Sequence, residues 1–230
     1  MKTIAIAGGL LASALLLTGC GLASIAGPDN QDTTTYQVTD KVTKLQVKSG
    51  SGDTVVTETD GNAVRVTETL NWRSDDKPKT EHKVEGEALH LTYDCPSDWG
   101  SCSVDYKIEI PKGLAVDLDA GSGNITLRSL TGRLDAHLGS GDLDATGLAG
   151  KQVVAEAGSG RIELKYASAP DSAELKSGSG DIVLTVPDGT YDVNTEMGSG
   201  DAKVSVKDDG SSPHKVSLTS GSGDVTMSAG

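Results

Sequence analysis

No phenylalanine occurs among the 230 residues, and the aromatic complement is two Trp and five Tyr. A globular core assembled on aromatic side chains is therefore excluded, and burial has to come from Val, Ile, Leu and Ala. Long apolar runs are scarce too: the stretch from Ile4 to Leu17 is shorter than the roughly 20 residues needed to cross hydrocarbon. Positive charge is in deficit, with 20 Lys and Arg against 33 Asp and Glu and a formal net charge of −13. An acidic surface repels phosphate backbones, so nucleic acid is not an expected partner. Cysteine is limited to three residues, too few for a disulfide-built scaffold.

What is present begins at the amino terminus. Met1-Lys2-Thr3, the apolar run and then Leu17-Thr18-Gly19-Cys20 read as an export signal over 1–19 with a lipoprotein cleavage site. The motif resembles the bacterial lipobox. That resemblance implies a diacylglyceryl group on the Cys20 sulfur and acylation, typically with palmitate, of the new amine. Two or three chains hold a protein durably on a bilayer, because each buried methylene contributes about 0.8 kcal/mol. The expected location is extracytoplasmic, anchored by lipid to the bacterial cell membrane. Without residues 1–19 the chain has 19 basic and 33 acidic side chains, a formal charge of −14. Gly21 to Thr35 is rich in Gly, Ser, Thr, Asn and Asp, so 20–35 is expected to be the lipidated Cys and a flexible tether.

With Cys20 acylated, Cys95 and Cys102 remain. Two cysteines in an oxidising compartment usually pair, and the expected disulfide closes the loop Pro96-Ser97-Asp98-Trp99-Gly100-Ser101. A zinc site is the alternative, but two thiols without nearby His or further Cys are a poor donor set.

Internal repeats dominate the remainder. Gly-Ser-Gly recurs at Gly121–Gly123, Gly139–Gly141, Gly158–Gly160, Gly178–Gly180, Gly198–Gly200 and Gly221–Gly223, at spacings of 18, 19, 20, 20 and 23, with a further copy at Gly50–Gly52. Four residues after the first Gly stand Ile125, Leu143, Ile162, Ile182, Ala202 and Val225; six after stand Leu127, Ala145, Leu164, Leu184, Val204 and Met227. Five before it come Val116, Leu134, Val153, Ala173, Val193 and Val216, and three before come Leu118, Ala136, Ala155, Leu175, Thr195 and Leu218. Polar residues lie between these columns, which is the period-two pattern of strands with one buried face. Inward positions are odd before the motif and even after it. One residue must therefore be absorbed in a bend, and glycine permits it.

Each repeat thus holds two short strands joined at a Gly-Ser-Gly corner. A period of 18–20 residues is too short for a crossover helix, so coils must stack directly at roughly 4.8 Å. The expected fold is all-β: a single-stranded parallel β-helix (β-solenoid), right-handed, with 36–110 forming irregular starting coils and 111–230 the regular ones. Pro111-Lys112-Gly113 and Pro187-Asp188-Gly189 look like equivalent turns, and the polar stretch from Ser74 to Lys83 looks like an insertion.

The lipobox, the first Gly-Ser-Gly-Asp, the stretch around Trp72, the Ile110-Pro111-Lys112-Gly113 turn and the serial corners together resemble the bacterial putative-adhesin family, a family of unknown function. The resemblance runs from about Leu45 to Met227. It implies a β-helical extracytoplasmic domain and carries over no catalytic residue.

Candidate sites are few. The residue after each corner reads Asp53, Asn124, Asp142, Arg161, Asp181, Asp201 and Asp224, and the last six would form a ladder in a stacked solenoid. Calcium at Asp142, Asp181, Asp201 and Asp224 is the lesser reading, since calcium takes six to eight oxygens and Arg161 interrupts the row. Hydrogen bonds from turn backbone to these side chains are the favoured one, with Arg161 relieving repulsion between its neighbours. No Gly-Ser-Gly copy extends into a phosphate-loop, dinucleotide or Gly-x-Ser-x-Gly motif. His82, His90, His137 and His214 are dispersed. No cofactor or metal is expected.

Glycan-cleaving enzymes with β-helical bodies need carboxylates on long loops and aromatic platforms. Short polar turns offer no such loops, although Trp72, Trp99 and Tyr93 could form a small platform. A non-catalytic surface module that binds a protein or glycan is therefore expected, with an assembly element of the envelope as alternative and a polysaccharide-active enzyme as a lesser one. Val225-Thr226-Met227 closes the last repeat three residues before Gly230. A weak homodimer through that bare C-terminal coil is expected as well.

Overall fold

The structure, a computed structural model, describes residues 30–73, 75, 77–96 and 102–230. In chain order its strands are β1 (Asn30–Val38), β2 (Lys44–Ser51), β3 (Thr54–Thr59), β4 (Val64–Trp72), β5 (Lys79–Glu85), β6 (Ala88–Asp94), β7 (Cys102–Pro111), β8 (Ala115–Ser122), β9 (Ile125–Arg128) and β10 (Leu134–Ser140). They continue as β11 (Leu143–Leu148), β12 (Gln152–Ser159), β13 (Ile162–Tyr166), β14 (Ser172–Ser179), β15 (Ile182–Val186), β16 (Thr190–Ser199), β17 (Ala202–Ser205), β18 (Lys207–Asp208), β19 (Lys215–Ser222) and β20 (Val225–Ala229). The described residues form no helix.

Alternation explains the strands. In β8 the side chains of Val116, Leu118 and Ala120 are buried, while Asp117 and Asp119 lie on the outer side. After the corner, Ile125 and Leu127 of β9 turn inward again. Each buried aliphatic contributes roughly 1.5–3 kcal/mol, and the columns of the repeats merge into one continuous core, except at β17, whose residues stay exposed.

Two ten-stranded sheets result. One is ordered β1-β4-β7-β3-β9-β11-β13-β15-β20-β17, the other β18-β16-β19-β14-β12-β10-β8-β2-β6-β5. Strands on either side of a Gly-Ser-Gly lie in different sheets, and pairs in the body of each sheet are parallel, for example Leu134↔Val116 and Leu143↔Ile125. The sheets are nevertheless mixed, because β1–β4, β4–β7 and β5–β6 are antiparallel. A single-stranded parallel β-helix with irregular starting coils over 36–110 was the expectation, and the structure corrects it in that region, where antiparallel strands terminate the stack.

Two further expectations are corrected. The tether was drawn to Thr35, yet Asn30–Val38 is β1, paired along its length with β4. Its side chains are mostly exposed, so backbone bonding and threonine pairs such as Thr35 Oγ1 with Thr67 Oγ1 at 2.9 Å hold it. Similarly, Lys79–Lys83 of the presumed insertion belongs to β5, the edge strand beside β6. Residues 1–29, including the export signal, Cys20 and most of the tether, lie outside the described residues.

The larger correction concerns the order of coils. The last repeat in the chain, β19 and β20, is not the last in space. β19 pairs with β14 on one side and β16 on the other, and β20 pairs with β15 and β17. Val225 and Met227 are fully buried. The C-terminal repeat therefore has no bare edge among the described residues, and the surface on which the dimer was expected is internal to the stack. The outermost coil is the one before it, β16 and β17.

Candidate functional site

The corners follow one geometry. The third residue of every copy, from Gly52 and Gly123 through Gly180 to Gly223, has positive φ, which side-chain-bearing residues adopt with strain. The first residue of each copy has no such φ, and from Gly121 onward its need for glycine is steric. A Cβ on Gly121 would sit 2.6 Å from Gly50 O, one on Gly139 2.6 Å from Gly121 O, and one on Gly178 2.6 Å from Gly158 O. The coils approach too closely here for any side chain.

Beside the corners runs the ladder. Asp53 Oδ1 accepts the Asn124 N–H at 2.8 Å, Asn124 Oδ1 the Asp142 N–H at 3.0 Å, and Asp142 Oδ1 the Arg161 N–H at 2.8 Å. Above the Arg161 break, Asp181 Oδ1 accepts the Asp224 N–H and Asp224 Oδ1 the Asp201 N–H, both at 2.9 Å. Each side chain thus bonds the backbone of the neighbouring coil, not its own turn. Arg161 reaches sideways to Glu163 at 3.0 Å. Among the described residues no three His, Cys, Asp or Glu side chains are arranged to hold a metal ion. For Asp142, Asp181 and Asp224 one oxygen is occupied by an N–H, and Asp201 stands at the end of the row.

Cys95 and Cys102 form a disulfide with Cα atoms 5.9 Å apart. Of the expected aromatic platform, Trp72 and Tyr93 both pack against the core. Lys77 Nζ stands 5.1 Å over the Trp72 ring, and the Tyr93 hydroxyl donates to Ser51 O at 2.6 Å. Trp99 lies outside the described residues. The histidines stay apart: His82 stacks on Tyr36 with centroids 4.3 Å apart, while His214 Nδ1 is 2.7 Å from Pro170 O.

On the outer face of the second sheet, Asp119, His137, Glu156 and Lys176 occupy successive strands and line a shallow groove of about 370 Å³ together with the corner glycines Gly139, Gly158 and Gly178. His137 Nε2 lies 2.9 Å from Asp135 Oδ1. One strand pair away, burial raises the Asp117 carboxyl, but hydrogen bonds from Lys44 and Gln46 outweigh it and hold the group below its ordinary value. The groove carries charges of both signs beside the apolar Leu138 and Ala157.

Column reading missed two buried carboxylates. Glu58 accepts the Thr131 N–H at 2.8 Å and the Gly113 N–H at 3.2 Å, joining turns of three layers. Glu68 accepts the Tyr36 hydroxyl at 2.6 Å. Both occupy inward positions of alternating runs, and only that parity marks them in the sequence.

Residues 40–229 match the family model described as Toastrack DUF4097. No curated protein matches the chain. Among solved structures, a putative cell adhesion protein from Clostridium sporogenes ATCC 15579 aligns with a TM-score of 0.51 at 14% identity, over 87% of this chain and 100% of that one. A putative adhesin from Bacteroides fragilis NCTC 9343 aligns at 0.45 and 11% identity, over 86% of this chain and 97% of its own.

Proposed function

This chain belongs to the Toastrack DUF4097 family, and from that premise we propose that it is a non-catalytic surface-binding module, held outside the cytoplasm by lipid on Cys20. The observation that carries the proposal is the sequence Leu17-Thr18-Gly19-Cys20, placed ten residues ahead of Asn30, where β1 begins on the outermost strand at one end of the stack. Ten residues reach at most about 35 Å. An anchored Cys20 therefore sets that end toward the bilayer. The opposite end, β16 and β17, stands roughly 43 Å further out, at about 4.8 Å per strand. We further read the repeats from Ala115 to Ala229 as coils of a right-handed parallel β-solenoid. The similarity to a structure described as a putative cell adhesion protein agrees with a surface role, as does the exposed groove beside His137.

The bare outer strand β17 favours a second reading, an assembly element of the envelope. Fractionation tests the anchor: the Cys20→Ala chain should leave the membrane fraction, and retention at the wild-type level would sink it. Presenting the Cys20→Ala chain to arrays of cell-wall glycans and matrix proteins tests the binding role. Saturable binding supports a binding module, and recovery of envelope proteins alone supports assembly.

A further inference from the structure

The two sheets end differently at the far pole. On the β16 side the chain covers part of its own edge: Lys207 and Asp208 of β18 pair with Thr190 and Tyr191, and Asp208 Oδ1 accepts the Val193 N–H at 3.1 Å. On the β17 side nothing among the described residues follows. β17 bonds β20 and no other strand, and all four of its residues are exposed. The equivalents of Ala202 and Val204 in the coils beneath, Val225 with Met227 and Ile182 with Leu184, are fully buried. Val204 is 36% exposed, the large hydrophobic residue that stands out in this respect among the described residues. The ladder is open at the same place, because Asp201 donates its N–H to Asp224 while no described N–H reaches its own carboxylate.

We propose that β17 pairs with β17 of a second copy, antiparallel about a two-fold axis through Val204. At the opposite pole the second sheet ends in β5, which runs against β6, so a further coil, which adds one strand to each sheet, cannot add there in the sense of the repeats. A head-to-tail stack of copies is thereby disfavoured, and the closed two-fold contact remains. Side chains fix the register. With Val204 on the axis, the two valines meet on the inner side and each Lys203 faces Ser205 of the other copy. Centring on Lys203 would instead oppose two like charges, which destabilises a sheet pair. A slip of one residue would turn inward positions outward. Four residues per copy make a small contact, so the dimer is weak, with a Kd on the order of 10–100 µM.

Sedimentation of the full chain carrying Cys20→Ala, which also removes the unpaired thiol, should resolve a monomer–dimer equilibrium. Val204→Lys should raise the Kd by about tenfold or more without changing the melting temperature, since the side chain is already exposed. Under mild oxidation Val204→Cys should cross-link two copies faster than Lys203→Cys, because only position 204 faces itself across the axis. A monomer up to ~1 mM, a dimer indifferent to Val204→Lys, or equal cross-linking at 203 and 204 would each overturn the proposal.

Discussion

Gly198 rests on Gly221, and Gly221 in turn on Gly178, so two corners that follow one another in the chain are separated in space by a third. The segment Lys215–Ala229 is consequently a keystone. β16 and β17 have it as their principal neighbour, beside the two residues of β18. Removing residues 213–230 should therefore disorder two coils, where sequential stacking would lose one. Hydrogen exchange checks this: amides from Val193 to Met197 should exchange freely in the shortened chain, while those of β14 stay protected. Protected amides in β16 would mean that it settles onto β14 by itself.

At Gly180 two penalties coincide. Its φ is +140°, and an added Cβ would collide with the carbonyl oxygen of Gly160. Gly180→Val should cost about 3 kcal/mol or more, a fall of roughly 6–12 °C in melting temperature for a domain of this size. Gly210, with nothing within 4 Å of an added Cβ, should accept Ala almost silently. Equal melting temperatures for the two variants would show that the corner backbone can relax.

How far this could be read from the sequence differs by element. The aliphatic columns and the corner glycines were legible because period-two burial and steric contact act on every coil alike. Coil order was not, since parallel register is the same whichever neighbour a strand takes. The signals that existed were weak: the 23-residue spacing after Gly198, Thr195 in an apolar column and the small Ala202 all mark the end coil. β1 was missed for another reason. Its run Asn30-Gln31-Asp32-Thr33-Thr34-Thr35 buries almost nothing, so no hydrophobic pattern betrays a strand held by backbone pairing. Parity alone marks Glu58 and Glu68 as inward, and the tertiary hydrogen bonds that make their burial tolerable leave no trace in the pattern.

The ladder contains its own control. Asp142→Ala removes the acceptor of the Arg161 N–H and should cost about 1 kcal/mol, the usual net worth of one such bond. Asp201→Ala removes a carboxylate that accepts no described N–H and should be close to neutral. Chemical denaturation of both variants, with and without a chelator, makes the comparison. Equal losses, or a loss that calcium restores in the parent but not in Asp142→Ala, would replace the hydrogen-bonding account with a metal-binding one.

Alkaline pH should unfold this protein through its tyrosines. Burial is the main reason that the hydroxyls of Tyr36, Tyr106 and Tyr166 hold their protons well above the ordinary value of about 10, and for Tyr36 the hydrogen bond to Glu68 adds to it. The folded chain then keeps protons that the unfolded chain releases. A raised pKa in an acid means stability that is complete below the unfolded value and declines as pH rises above it. Stability should be level just below pH 10 and fall progressively beyond it, by up to one proton's linkage per buried tyrosine. Tyr166→Phe isolates one of the three, since burial alone perturbs it. Denaturation midpoints measured from pH 8 to pH 12 should decline less steeply for that variant than for the parent. Parallel curves would mean that Tyr166 ionises in the folded chain as readily as in the unfolded one, and hence that the coil around it opens to water before the fold is lost.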